Sequence, residues 1–215
     1  MDAPYWRDRW AQNQIAFHES KVNPLLVEYF DQLSLPAGSR IFVPLCGKTI
    51  DIHWLRSRGH RVAGAELSEL AVQQLFMELG ITPSCAVIGQ VTRYSAAGID
   101  IFQGDIFDLS RGDLGAVDGL YDRGALVALP EPLRRRYARH LAAITDRAMQ
   151  LPIGITYEQE LLAGPPFSVN GAEVQRLYGG AYDLHALGSA AVVGGLKGKC
   201  PAADQAWLLT PVRAR

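Results

Sequence analysis

Residues Arg40 to Leu67 read RIFVPLCGKTIDIHWLRSRGHRVAGAEL, and this stretch constrains the fold more than any other. Arg40 to Leu45 is a short apolar run with branched residues. It lies between Pro36-Ala37-Gly38 and Cys46-Gly47-Lys48, the pattern of a buried strand. Ile50, Trp54 and Leu55 then fall at helical spacing, with Gly59 as a stop. His60 to Ala65 is a second strand, ending at Glu66. Strand, tight glycine turn, helix, strand is a right-handed βαβ unit, which belongs in a parallel sheet of an α/β protein.

Glu66 stands about 20 residues past the glycine turn, where a carboxylate can accept hydrogen bonds from both hydroxyls of a ribose. The turn itself, Pro44-Leu45-Cys46-Gly47-Lys48, has one glycine where a pyrophosphate cradle needs three. That favours a phosphate-free nucleoside ligand, such as S-adenosylmethionine, over NAD or FAD. An ordinary βαβ unit with Glu66 as a solvated strand-end residue is the plainer alternative. A nicotinamide-dependent oxidoreductase is disfavoured by the missing glycines. Cys46 sits in the turn, but no histidine is placed to activate it as a nucleophile.

The 215 residues carry a net charge of -1, so there is no basic excess to hold a nucleic-acid backbone. No N-P-P-Y or D-P-P-Y motif is present for a flipped base. The three cysteines are far apart and form no C-x-x-C, which suggests neither a disulfide framework nor a zinc site. With no apolar run near 18 residues and no N-terminal apolar segment, the chain reads as a single cytoplasmic domain without a membrane partner. A monomer without a nucleic-acid partner is expected, though no residue pattern sets the oligomeric state.

Pro4 to Ala11 reads as a helix with Trp6 and Trp10 on one face. Asn23-Pro24 starts another through about Leu33. The two tryptophans either pack on the core or form an aromatic lid over a flat or cationic ligand. Ser68 caps a helix of Glu69 to Leu79 closed by Gly80. Ile81 to Gly98 is irregular, with room for a small hairpin. Ile99 to Phe102 and Val117 to Tyr121 are the third and fourth strands. The third leads to Asp105, either a turn-former or a neighbour of an adenine. The fourth is followed by Asp122-Arg123, charges at the carboxyl end of a strand, where open α/β sheets bind ligands. A helix from Pro130 to Asp146, a fifth strand from Gln150 to Tyr157, and a helix capped by Asn170 follow. Tyr182 to Val193 and Gln205 to Val212 read as antiparallel strands, separated by glycine-rich residues Gly194 to Asp204.

Six motifs in order resemble the thiopurine S-methyltransferase family, in its bacterial branch. They are W-x-x-x-W through A-F-H (Trp6 to His18), F-V-P-L-C-G-K (Phe42 to Lys48), G-H-R-V with E-L-S-E-L (Gly59 to Leu70), I-F-D-L (Ile106 to Leu109), D-R-G-A-L-V-A (Asp122 to Ala128) and G-P-P-F (Gly164 to Phe167). They span about three quarters of the chain. The resemblance implies a Rossmann-like, seven-stranded methyltransferase sheet, mostly parallel with an antiparallel C-terminal strand, helices on both faces, and residues 1–35 as a helical lid. It implies S-adenosylmethionine as cofactor and a small thiol as acceptor, methylated at sulfur. Cofactor contacts are expected at Trp6, Trp10, Phe17, Leu45, Gly47, Glu66, Leu67, Asp105, Ile106 and Arg123. Acceptor contacts are expected at Phe17, Arg123, Pro166 and Lys197, with Arg123 and Asp122 as the catalytic pair. Arg123 would orient the acceptor and keep it anionic, and Asp122 would orient Arg123 or meet a water. Family members usually carry an arginine in the loop before the last strand. Here only Lys197 or Lys199 supplies charge, which leaves open selenium or tellurium compounds, another small nucleophile, or a protein that binds the cofactor without catalysis.

Overall fold

The computed structural model describes residues 3–212. The chain forms two compact units: one takes in the chain up to Asn23 and Leu35–Gly119, the other Pro24–Ser34 and the chain from Leu120 on. The segment expected as a lid, residues 1–35, is thereby divided between them.

In the first unit the expected βαβ core is present. Strand β1 (Arg40–Pro44) pairs in parallel with β2 (Arg61–Glu66), and β2 with β5 (Ile99–Gln103). The interior faces of β1 and β2 are fully covered, with Ile41, Phe42, Val62 and Ala63 at most 1% exposed. A near-continuous apolar run is what a parallel strand covered on two faces requires. The helix Asp51–Ser57 joins β1 to β2, and the helix Glu69–Leu79 follows β2. Ser68 Oγ accepts from Ala71 N at its start, and Gly80 ends it in the left-handed region. The stretch with room for a small hairpin forms one, β3 (Ser84–Ile88) antiparallel to β4 (Val91–Ala96), and β4 pairs antiparallel with β5. Strand order in this unit is β3-β4-β5-β2-β1.

The second unit holds β6 (Gly119–Arg123) from Leu120 on, β7 (Met149–Thr156), β8 (Tyr182–Ala191) and β9 (Ala203–Pro211), in the order β6-β7-β9-β8. β9 is antiparallel to both neighbours. The helix Glu131–Ile144 buries Tyr137, Ala138 and Leu141, and Gly171–Tyr178 is capped by Asn170 accepting from Glu173 N.

The α/β class stands as expected, with helices beside a mixed sheet, but the described residues contain nine strands, not seven. The hairpin adds two because an exposed edge does not show the apolar run that marks a buried strand. The fourth strand also lies two residues later than the sequence suggested, so Asp122 and Arg123 end the strand instead of following it. No helix among the described residues is long and apolar enough to cross a membrane. Cys46, Cys85 and Cys200 are unbridged, and no group of metal-ligating side chains occurs among the described residues.

Candidate active site

Beyond β1 the chain turns tightly, with Leu45 at φ 47° and Gly47 at φ 51°. Holding a leucine in the left-handed region costs on the order of 1–2 kcal/mol, and such strain concentrates where function needs a particular backbone path. Cys46 N donates to Ala65 O at 2.9 Å, which ties the turn to β2. At the end of β2 the Glu66 carboxylate bridges two loops. Oε2 accepts from Gly47 N and Oε1 from Ser68 N, each at 2.7 Å. Each oxygen keeps a second lone pair. Glu66 is 6% exposed. Burial pushes its carboxyl up, while the amides of Ser68, Gly47 and Leu67 pull it back by favouring the anion.

Cys46 packs beneath this seat, since a Cβ added at Gly64 would lie 2.9 Å from its Sγ. Burial, and then the charge of Glu66, push its thiol well above the ordinary range. A thiolate nucleophile is therefore disfavoured there, in line with the sequence reading.

Trp10 is buried, and its indole lies against the turn: a Cβ at Gly47 would stand 3.0 Å from Cζ2 of that ring. Phe17 is 44% exposed and meets the edges of both tryptophans, with centroids 5.6 Å from Trp6 and 5.7 Å from Trp10. The three aromatics form one cluster, tied to Gly47 through Trp10. Lys48 Nζ is ion-paired with Glu78 at 2.7 Å and anchors the far side of the turn.

The ends of β2 and β5 are stitched together. Gly104 N donates to Glu66 O at 2.9 Å, and Gln103 Nε2 donates to Leu67 O at 3.0 Å. This carries the Asp105-Ile106 step alongside Leu67. Asp105 is exposed, and its Oδ1 accepts from Phe107 N at 3.0 Å as the cap of a single 3-10 turn. The turn-forming role is thus observed. Ile106 is buried at 8% exposure.

In the second unit, Asp122 has no exposed surface, and its Oδ2 accepts from Tyr137 Oη at 2.8 Å. Burial pushes its carboxyl up to about 6, against the Tyr137 hydroxyl and the amides of Leu126 and Ala125. The carboxylate faces the interior, away from bulk solvent. Arg123 is half-buried at the end of β6. The helix after it, Ala125–Ala128, reaches the proline loop: Phe167 N donates to Val127 O at 2.6 Å. Lys197 is exposed, and its Nζ donates to Pro165 O at 2.9 Å.

The structure thus gathers Trp6, Trp10, Phe17, Leu45, Gly47 and Glu66 around one turn, with Leu67, Asp105 and Ile106 at the next strand end. Separately, it links the segments that carry Arg123, Pro166 and Lys197. Sequence reasoning missed the Ser68 amide, Gln103 and Tyr137. Ser68 was legible as a cap but not as a second anchor for Glu66, and no local pattern marks the other two.

A sequence model described as Thiopurine S-methyltransferase (TPMT) matches residues 1–202. The chain is 54% identical over 210 residues to a thiopurine S-methyltransferase of Xanthobacter autotrophicus, covering 97% of this chain and 99% of that one. It is 47% identical over 211 residues to the protein of the same name from Gluconobacter oxydans, covering 98% and 96%. Among solved structures, magnesium protoporphyrin IX methyltransferase of Synechocystis with bound SAH shares the fold at a TM-score of 0.65 and 14% identity, covering 98% of this chain and all of that one.

Proposed function

Starting from a chain that belongs to the thiopurine S-methyltransferase family, and is an S-adenosylmethionine-dependent methyltransferase, we propose that it methylates the sulfur of a small aromatic or heterocyclic thiol. The residues present suit the donor. Glu66 is a buried carboxylate seated by two backbone amides, with lone pairs left for a pair of vicinal hydroxyls. Gly47 lacks a side chain and so lets the Trp10 indole lie against the turn, and aromatic faces beside it favour a cation by ~0.5–2 kcal/mol. When bound, S-adenosylmethionine supplies a methyl group already activated by its sulfonium charge.

The protein's own contribution is then alignment and exclusion of water, which can lower a barrier by ~7–11 kcal/mol. Glu66, Leu67, Asp105 and Ile106 hold the adenosyl end, and Trp6, Trp10 and Phe17 cover it. Arg123 orients the acceptor and keeps its sulfur anionic, so no separate base is needed for a thiol acidic near neutrality. Asp122, bonded to Tyr137, fixes the end of β6 on which Arg123 stands. The observation that carries the acceptor reading is this half-buried cation at a strand end, followed by a helix bonded to the proline loop. The same reading makes the protein a cytoplasmic monomer with a small-molecule acceptor.

A second reading, methylation of selenium or tellurium compounds or another small nucleophile, is favoured by one feature. The loop that usually offers an arginine here offers Lys197, whose ammonium is engaged by Pro165 O. A labelled-methyl screen over aromatic thiols, chalcogen compounds and other small nucleophiles separates the two. Aromatic thiols are expected to give the highest kcat/KM. Arg123→Ala is expected to lower kcat/KM for thiols by about ten- to a hundredfold, the loss of one charge-assisted contact. Unchanged turnover and unchanged acceptor affinity would reject its role.

A further inference from the structure

The Gly164–Ser168 segment carries Pro166, and its two prolines have no N–H to offer a ladder. Contacts from several elements hold it instead. Pro165 O accepts from Lys197 Nζ at 2.9 Å, and Pro166 O from Tyr157 Oη at 2.6 Å. Phe167 N donates to Val127 O at 2.6 Å, and Ser168 N to Gln159 Oε1 at 2.8 Å. Ser168 Oγ accepts from Tyr157 N at 3.1 Å. The Arg134 guanidinium lies 6.0 Å from the centroid of the Phe167 ring, with Nη1 3.4 Å from Ser168 O.

Gln159 is the hub of this brace. Its amide can take only one orientation: the Ser168 N–H only donates, so it must face Oε1. The Leu162 carbonyl only accepts, so it must face Nε2, at 2.6 Å. Nε2 also donates to Tyr157 Oη at 2.9 Å. A phenol has one proton. Receiving a hydrogen bond from Gln159, Tyr157 directs its own proton to Pro166 O at 2.6 Å, much nearer than the other carbonyl in reach, Leu162 O at 3.4 Å, which Gln159 Nε2 already serves. Backbone groups at both ends therefore dictate the direction of the whole relay from Gln159 through Tyr157 to Pro166.

We propose that Gln159 is a positioning residue for the methyl acceptor: through the single proton of Tyr157 it sets where Pro166 stands, and thereby which acceptors are taken. This rests on the reading of Pro166 as an acceptor contact. Lys197 belongs to the same brace, holding Pro165.

Gln159→Glu tests it. The variant keeps the size of the side chain and an acceptor for Ser168 N, but offers Tyr157 an acceptor where it had a donor. Pro166 O and the new carboxylate then compete for one proton. Hydrogen exchange at the Phe167 and Ser168 amides is expected to accelerate. KM for whichever acceptor the wild-type protein methylates is expected to rise about tenfold, with a changed ranking of acceptors and unchanged affinity for S-adenosylmethionine. Tyr157→Phe should act in the same direction, and adding Gln159→Glu to it should have little further effect, because the relay is already cut. Unchanged exchange and unchanged KM in Gln159→Glu would overturn the inference. So would KM and donor affinity worsening together, the mark of general loosening. A wild-type protein that methylates no thiol would sink the acceptor reading by itself, whereas thiol activity with an indifferent Gln159→Glu would sink this inference alone.

Discussion

Glu66 and Asp122 are both carboxylates at the C-terminal ends of strands, both buried, and both pushed up by desolvation. Their partners set them apart. Glu66 is held by two backbone amides from two different loops, one on each oxygen. Asp122 is held by the amides of Leu126 and Ala125 and also by a side-chain hydroxyl, that of Tyr137, whose own proton is kept in place by burial and by the Asp122 charge. Glu66 ties two loops together beside Gly47, and the proposed function makes it the carboxylate that takes a ligand. Asp122 is enclosed by its own unit and acts on the strand it ends. Residue type and strand position are alike in the two cases, so neither predicts the role.

The sharpest way to break this contrast is Glu66→Ala. Removing an ionised acceptor for two hydroxyls should weaken S-adenosylmethionine binding by about a hundredfold or more in calorimetric titration. Wild-type affinity in that variant would make Glu66 a brace like Asp122.

Next in size is a stability effect at Asp122. Its carboxyl moves from 3.8 to about 6 on folding, which corresponds to on the order of 3 kcal/mol. A raised carboxyl binds its proton more tightly in the folded state. Its contribution is therefore fully present below about pH 4 and is lost as pH rises through about 6. Asp122→Asn should flatten the fall in denaturant-measured stability across that window. An unaltered slope would mean that another group titrates there.

The smallest effect sharpens the comparison from the other side. Ser68→Ala removes the hydroxyl that caps the helix Glu69–Leu79 but leaves the N–H that holds Glu66. Thermal unfolding should show a loss of ~1 kcal/mol, while donor affinity stays at the wild-type value. A joint loss of both would tie the seat to the cap and not to the backbone amide.

Much of the first unit was legible because its signals are local. The apolar run of β1, the lone glycine of the turn, the Ser68 cap and the Gly80 stop each act within a few residues. The stretch Ile81 to Gly98 showed room for a hairpin but not its strands, because an exposed edge strand is stabilised by its neighbour, not by an apolar pattern of its own. The end of β6 was misjudged by two residues because Asp122 looks like a loop residue until Tyr137, fifteen positions away, offsets part of the penalty of burying it.

The amino-acid order by itself determined the βαβ core, the acid that ends its second strand, the single-glycine turn and the family to which the chain belongs. These depend on periodicity, backbone freedom and chemical type, which are properties of short segments. Only the tertiary structure decided which carboxylate bridges two loops, which is locked inside, and how the proline loop is held. Those outcomes depend on where donors and acceptors from distant elements come to rest, and on how far each is removed from water.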